Sequence, residues 1–194
     1  MPDVLLLVVL SLLLLVPLIW WIGTYNRLVR LRHAVRESWS GIDVELKRRY
    51  ELIPNLVETV RGYARHERDV LERVVSLRQR AMQNHGSAAS QAADENALLL
   101  SMRALFAVVE NHPQLRSDAH FLSLQQELAI TEDRIAAARR FFNGNVRDLR
   151  NLRESFPSSL VAGAMGVEQP TFFELDDAAE RVVPRVGVGT PGTG

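Results

Sequence analysis

A chain of 194 residues, 47% of them hydrophobic, can bury one sizeable core, which predicts one soluble domain plus an anchor and leaves no room for a second enzyme-sized domain. Its 23 basic and 23 acidic residues balance, which argues against a nucleic-acid binder that neutralises phosphates over a broad face. The absence of cysteine excludes disulfides, thiol nucleophiles and cysteine metal sites, and leaves the compartment open.

The first element is an uncharged apolar stretch, residues 4–22, which reads VLLLVVLSLLLLVPLIWWI. As a helix rising about 1.5 Å per residue, it nearly spans the hydrocarbon layer of a bilayer. Trp20, Trp21 and Tyr25 stand where an interfacial aromatic belt is expected. The alternative is a cleaved signal peptide, but the start is Met-Pro-Asp and the exit is bulky Trp-Trp-Ile. Residues 1–24 are therefore predicted to be an uncleaved transmembrane anchor.

The charges that flank this stretch predict its orientation. Arg27, Arg30, Arg32 and Arg36 follow it closely, whereas only Asp3 precedes it. The positive-inside rule then places the amino terminus outside and the remaining domain in the cytoplasm of a single-pass protein of the cell membrane. Of these residues, Arg27 and Arg30 are the best candidates to contact lipid headgroups.

An apolar seam follows the anchor, in which apolar residues recur at spacings of four and three. Charged residues lie on the opposite side of each helix. This periodicity predicts long amphipathic helices packed along the seam. Only Arg49 and Glu67 interrupt it. The seam consists of Val35, Trp39, Ile42, Leu46, Ile53, Leu56, Val60, Tyr63, Val70, Val74, Leu77 and Ala81.

Pro54 divides the seam and allows two interpretations. It has no amide to donate and its ring crowds the carbonyl of Tyr50, so it either kinks one long helix or begins a new one. A kink preserves the phase of the seam naturally. A single helix from Tyr25 to Asn84, however, is about 90 Å long and leaves much of the seam bare. We therefore expect a turn or a very sharp bend at Pro54.

The rest of the chain adds shorter elements. The helix that carries the end of the seam is predicted to end near Gln83-Asn84. A helix is predicted over residues 91–111, with an apolar stripe of Leu98, Met102, Leu105 and Val109. The last long helix begins after a cap at Ser117 and closes at Phe156-Pro157, and its stripe consists of Phe121, Leu124, Leu128, Ile135, Phe142, Val146 and Leu149. Beyond it the pattern weakens, with Phe172 and Phe173 placed to dock a tail that includes a short helix over residues 176–182. Residues 187–194 are rich in glycine and are predicted to be disordered.

Two blocks of this sequence resemble a known family. Residues 25–74 contain IDVELKRRYELIPNLVETV and GYARHE, and residues 124–157 read LQQELAITEDRIAAARRFFNGNVRDLRNLRESFP. Both are similar to the LemA family of membrane-anchored bacterial helical proteins. The resemblance implies a cytoplasmic antiparallel bundle behind one anchor in the bacterial inner membrane. The biochemical role of that family is poorly defined, so the resemblance bears on fold more than on function.

The predicted fold is all-α, with a single N-terminal transmembrane helix followed by an antiparallel up-and-down helical bundle of about four helices and an irregular C-terminal tail. The predicted divisions are the anchor at 1–24, the bundle at 25–157, a docking tail at 158–186 and a disordered tail at 187–194.

The sequence contains no complete motif for catalysis or metal binding. His66-Glu67 begins an HExxH pattern, but position 70 is Val where the second histidine is needed. The serines form no Gly-x-Ser-x-Gly elbow, and no glycine-rich phosphate loop follows a strand. No catalytic, cofactor-binding or metal-binding residue is predicted, no cofactor is expected, and the protein is predicted not to be an enzyme.

The two charges on the seam predict a core polar cluster, because a buried charge is costly unless it is paired. Arg49 and Glu67 lie about 27 Å apart along a helix, so each needs a partner elsewhere, such as Glu132 or Arg139 on the last helix. Together with Thr131 these residues either bind a ligand or form ion pairs that fix helix register. Ion pairs are the favoured interpretation.

A candidate partner surface lies on the charged side of the seam. It consists of Lys47, Arg48, Asn55, Glu58 and His66. We therefore expect an interaction or scaffold protein whose partners are membrane lipid and an unidentified protein, with no nucleic acid. The alternative is a sensor of a small ligand or signal that uses the core polar cluster.

Overall fold

A computed structural model describes residues 2–175, and this part of the chain is all-α, with no strand. Four long helices and two short ones follow one another, which confirms the predicted fold class and roughly the predicted number of bundle helices. The helices are α1 (Pro2–Tyr63), α2 (Arg68–Gln83), α3 (Ala88–Glu110), α4 (Pro113–Arg116), α5 (Ala119–Glu154) and α6 (Ser158–Ala164).

The first part of α1 is exposed on every side. All side chains of residues 4–22 lie open, although the stretch carries no charge and no strongly polar group except Ser11, whose hydroxyl donates to the carbonyl of Val8 at 2.9 Å. Among the described residues, α1 is the one helix long and apolar enough to cross a membrane. An apolar helix that finds no protein partner is consistent with membrane anchoring.

The expected turn at Pro54 is wrong, because α1 continues through Pro54 to Tyr63. The chain reverses instead at residues 64–67, where the amide of Glu67 donates to the carbonyl of Ala64 at 3.1 Å. Pro54 is itself exposed, so its ring faces solvent and not a packed neighbour. Both the unbroken phase of the seam and the exposure of Pro54 fit a continuous helix.

A side chain from α2 repairs the hydrogen bond that Pro54 removes. In an α-helix the carbonyl of residue 50 accepts from the amide of residue 54, and proline has no such amide. Here Arg78 Nε donates to the carbonyl oxygen of Tyr50 at 2.5 Å. The carbonyl is therefore satisfied across helices, which removes much of the cost that was expected to end α1 at this point.

Helices α2 and α3 form a hairpin and pack against each other. Helix α2 ends at Gln83, where the sequence predicts its end, and α3 begins a few residues earlier than predicted. The start of α3 is capped by Ser87, whose hydroxyl accepts from the amide of Ser90 at 3.2 Å. This is the bond that a serine at an N-cap position provides.

The cap of α5 is Asp118 and not Ser117. Asp118 Oδ1 accepts from the amide of Phe121 at 2.9 Å, and Oδ2 accepts from the Tyr63 hydroxyl at 3.1 Å. The Ser117 hydroxyl instead donates backward, to the carbonyls of Pro113 and Gln114. The bond from the Phe121 amide, followed by that from Tyr63, lowers the pKa of Asp118 below its usual value.

The described residues form two compact units, and both α1 and α5 contribute to each. The first unit comprises residues within 1–39 and 141–170. Its core contains a small apolar cluster. In the same unit, Trp39 and Phe142 make an edge-to-face contact with ring centroids 5.3 Å apart. The cluster consists of Leu28, Leu149, Val161, Ala162 and Val167.

The second unit comprises residues within 40–140 and 171–194, so far as these are described. Its apolar core follows the predicted stripes of α1 and α5, and it also buries Phe173, one of the two aromatic residues expected to dock the tail. These buried stripes include Ile42, Leu46, Ile53, Leu56, Val60, Phe121, Leu124, Leu128 and Ile135.

Only part of the predicted tail falls within the described residues. Residues 158–164 form α6, and the turn that follows it places Gly166 at φ 59°, a backbone conformation that favours glycine. The short helix predicted over residues 176–182 and the disordered tail predicted at 187–194 lie outside the described residues. The predicted boundaries of the domains remain predictions.

Candidate functional site

The most distinctive site in the second unit is a charged cluster centred on Arg49. The Arg49 side chain is fully buried on α1. Its Nη1 donates to both carboxylate oxygens of Glu132 on α5, at 3.0 and 3.1 Å. Its Nη2 donates to Glu95 Oε2 on α3. One guanidinium therefore joins three helices through two carboxylates, a geometry that suits the planar fork of arginine.

Glu95 is the second centre of this cluster and is also fully buried. Its Oε1 accepts from the Tyr50 hydroxyl and from Gln91 Nε2, the latter at 2.8 Å. Gln91 lies one turn before Glu95 on α3 and donates as well to the carbonyl of Ala81, the last buried residue of α2, at 3.1 Å. All four long helices therefore contribute to the network.

The electrostatic surroundings keep the Arg49 guanidinium charged and the Tyr50 hydroxyl neutral. Burial acts to lower the pKa of Arg49, but the charges of Glu132 and Glu95 outweigh it and the pKa is raised, so the guanidinium stays charged. Burial, followed by the charge of Glu95, raises the pKa of Tyr50, so its hydroxyl stays protonated and donates.

Two polar atoms at the edge of the cluster are buried without a hydrogen-bond partner among residues 2–175. They are Arg49 Nε and Glu45 Oε2, which belong to residues one turn apart on α1. The other oxygen of Glu45 lies 3.8 Å from Arg134 Nη1 on α5. Both Nη groups of Arg49 are hydrogen-bonded to protein carboxylates. The buried atoms without a partner in this cluster are Arg49 Nε and Glu45 Oε2, so far as residues 2–175 are concerned.

The remaining members of the predicted core cluster are placed differently. Thr131 is buried, but its hydroxyl donates to the carbonyl of Glu127 on its own helix at 2.8 Å. Arg139 is half-buried on α5. The prediction for Glu67 is wrong, because Glu67 is exposed in the turn between α1 and α2. Since α1 ends at Tyr63, the helical phase that put Glu67 on the seam does not extend to it.

Four of the five predicted partner residues lie on one exposed side of α1. Lys47, Asn55 and Glu58 lie eight and three residues apart, which places them on one helical face, and Arg48 borders it. All are exposed, as is His66 in the turn that follows α1. Lys47 Nζ contacts Asp43 Oδ2 at 2.6 Å, a local pair one turn away.

The predicted headgroup residues belong to the first unit. Arg27 and Arg30 are exposed on α1, five and eight residues after the apolar stretch ends at Ile22. At about 1.5 Å per residue these positions are roughly 8 and 12 Å along the helix from that end. Their exposure leaves both guanidiniums accessible to anionic groups.

The sequence interpretation missed Tyr50, Gln91 and Glu95. A usable signal for two of them is the stripe of α3, predicted from Leu98 to Val109. Steps of three and four residues back from Leu98 reach Glu95 and Gln91, which extends the buried face into polar residues. Tyr50 is adjacent to Arg49 and carries no comparable signal, because its role depends on where α3 packs.

Comparison with known proteins agrees with the resemblance stated above. The profile of the LemA family matches residues 38–187, which is more than half of the chain. The chain is also 22% identical over 171 residues to Protein LemA of Metamycoplasma hominis, and the alignment covers 88% of this chain and 75% of that protein. The matched region contains Arg49, Glu95 and Glu132, and the chain belongs to the LemA family.

Proposed function

We propose that this chain is a single-pass membrane protein whose cytoplasmic helical domain serves as an interaction or scaffold module and not as an enzyme. The observation that carries the proposal is α1 itself. It begins as an apolar helix exposed on all sides and continues without a break into a helix with one buried seam and one exposed polar stripe. One element thus supplies both a membrane anchor and a surface for a partner.

The exposed stripe supports a protein partner. Lys47, Arg48, Asn55 and Glu58 offer both signs of charge and an amide along about 17 Å of one helix face. A mixed polar face of this kind selects a partner by complementary charge more than by apolar area. The proposed partner therefore presents acidic groups opposite Lys47 and Arg48 and a basic group opposite Glu58.

What weighs against the sensor alternative is that most hydrogen-bonding groups of the polar core already have protein partners, with Arg49 Nε and Glu45 Oε2 as the exceptions among residues 2–175. Arg49 contacts Glu132 and Glu95, and Glu95 also accepts from Tyr50 and Gln91. A ligand that bound Nη1 or Nη2 of Arg49 would have to displace a protein carboxylate from a buried site, and that carboxylate would lose its partner. Ion pairs that fix helix register remain the favoured role of this cluster.

Photocrosslinking tests the partner surface. A photoreactive amino acid placed at Asn55 or Glu58 of the full chain in native membranes is expected to yield a defined protein adduct that the Lys47→Glu/Arg48→Glu double variant abolishes. The matched control is Gln126, which is exposed on α5. Adducts at Asn55 no different from those at Gln126, or unchanged by the charge reversal, would refute this surface.

Cysteine accessibility tests the orientation, because the chain has no cysteine of its own. An Asp3→Cys variant is expected to react with a membrane-impermeant maleimide in intact spheroplasts, whereas an Asn55→Cys variant reacts only after permeabilisation. The reverse pattern would overturn the proposed orientation, and reaction of both positions in sealed spheroplasts would overturn the span.

A further inference from the structure

The corner between α5 and α6 in the first unit exposes apolar side chains to an unusual degree. Phe156 is 83% exposed, the highest value for any large apolar side chain among residues 3–175, and Leu160 is 59% exposed. Residues 155–167 carry no charge, between Glu154 and Glu168. An exposed face that is both apolar and uncharged is costly in water and marks a contact surface.

The same corner is packed against the part of α1 that leaves the apolar stretch. On the inner side of α6, Val161 and Ala162 form a core cluster with Leu28 of α1. Leu28 lies six residues after Ile22, about 9 Å along the helix. Burial of α1 begins still earlier, at Thr24, about 3 Å past Ile22.

If residues 4–22 fill the hydrocarbon layer, these distances place Thr24 within the lipid headgroups and Leu28 at their outer limit. The headgroup layer is about 5–8 Å thick on each side of a bilayer. The side chains of Phe156, in the turn before α6, and of Leu160, on the exposed side of α6, can reach that layer from the height of Leu28. The exposed Arg27 and Arg30 lie at the same height and provide charges that complement lipid phosphates.

We propose that the α5–α6 corner inserts Phe156 and Leu160 into the lipid interface beside the transmembrane helix. The chain then contacts the membrane in two ways: α1 crosses the bilayer, and the corner lies in its interface. The inference rests on the proposed anchoring of α1. Its occupant is lipid, because α6 packs against Leu28, six residues after the apolar stretch ends, and because Arg27 and Arg30 are exposed beside Leu28 on α1.

Lipid-quenching measurements on the full chain test this inference. Single variants Phe156→Cys and Leu160→Cys, each labelled with an environment-sensitive fluorophore, are reconstituted into vesicles of phosphatidylethanolamine and phosphatidylglycerol that carry a nitroxide on the acyl chain near the headgroup. Strong quenching is expected at both positions, with a blue shift of the emission.

The matched control is Phe141→Cys, which replaces the same residue type in the same unit, on the helix that leads to the corner. Phe141 is 66% exposed and lies fifteen residues before Phe156, about 22 Å along the chain if α5 rises regularly to the corner. Its label is expected to be quenched several-fold less. Equal quenching at residues 141 and 156 would overturn the inference.

A Leu13→Cys variant separates this inference from the proposed anchoring. If a label at residue 13 escapes a nitroxide placed deep in the acyl chains, the anchor itself is refuted. If that label is quenched while those at residues 156 and 160 are not, the anchor stands and the corner is refuted. Energy transfer between labels at residue 156 of two chains, with little lipid quenching, would assign the face to a second copy and overturn the inference.

Discussion

The cores of the two units differ in chemistry. The cluster in the first unit contains only apolar side chains, whereas the second unit surrounds Arg49 and Glu95 at full burial. Apolar contacts are non-directional and tolerate changes that conserve volume. A buried charge network tolerates little, because each member that is removed leaves another uncompensated. We therefore expect the removal of one side chain to lower the free energy of unfolding more in the charge network of the second unit than in the apolar cluster of the first.

The largest effect is expected at Arg49. Arg49→Ala leaves Glu95 buried beside Glu132 without their cation, and we expect a loss of about 3–5 kcal/mol in the free energy of unfolding. Urea unfolding of the full chain in detergent micelles measures it. The adjacent Arg48→Ala is a matched control, since Arg48 is exposed and its loss is expected to cost less than about 0.5 kcal/mol.

The Arg49→Lys variant tests whether the network needs the planar guanidinium as well as the positive charge. Arg49→Lys keeps the charge but cannot reach both carboxylates with a planar fork, so it is also expected to destabilise the second unit. If Arg49→Lys and Arg49→Ala both unfold at the same urea concentration as the parent chain, the network does not carry the stability attributed to it.

A smaller effect is expected in the apolar core of the first unit. Leu149→Ala removes a buried side chain from the cluster and is expected to cost about 2–4 kcal/mol, whereas Leu149→Met conserves volume and is expected to cost less than about 1.5 kcal/mol. Thermal unfolding of the two variants, together with hydrogen exchange across α6, measures the difference. Equal losses for the alanine and methionine variants would contradict a core held by volume alone.

The smallest effect concerns the bond from Arg78 to the Tyr50 carbonyl. Arg78→Ala is expected to cost about 1–2 kcal/mol, because the carbonyl opposite Pro54 loses its donor. In a Pro54→Ala background the new amide of residue 54 satisfies that carbonyl, so the cost of Arg78→Ala is expected to fall. A double-mutant cycle by urea unfolding measures the coupling, and equal costs in both backgrounds would show that the bond is incidental.

Local periodicity in the sequence predicted the fold well. The predicted stripe of α5, from Phe121 to Leu149, is buried at every position, because burial in a helix follows the 3.6-residue repeat directly. The errors arose where a distant residue decides the outcome. Pro54 lies inside α1, and the carbonyl that its missing amide would serve accepts from Arg78, 24 residues later.

The polar cluster was predictable only in part, for the same reason. Arg49 is a charge on an apolar seam, and the sequence predicts a partner for it on the last helix, where Glu132 lies. Glu95 was not predicted, since its role depends on the pairing of α1 with α3 and not on any local pattern. Glu67 was misplaced because the seam was extended across a turn that the sequence does not mark with proline.

The repair at Tyr50 has a consequence for the order in which the protein is made. Residues 2–63 leave the ribosome before Arg78 does, so for that interval the longest helix contains a carbonyl with no protein donor. Its middle is then a weak point, open to water and to local fraying, at a time when the apolar stretch before it is already available to the membrane. Only when the chain turns back after Tyr63 does the donor arrive. The hydrogen bonding of α1 around Pro54 is thus completed by α2, and a nascent chain stalled before Arg78 lacks that donor.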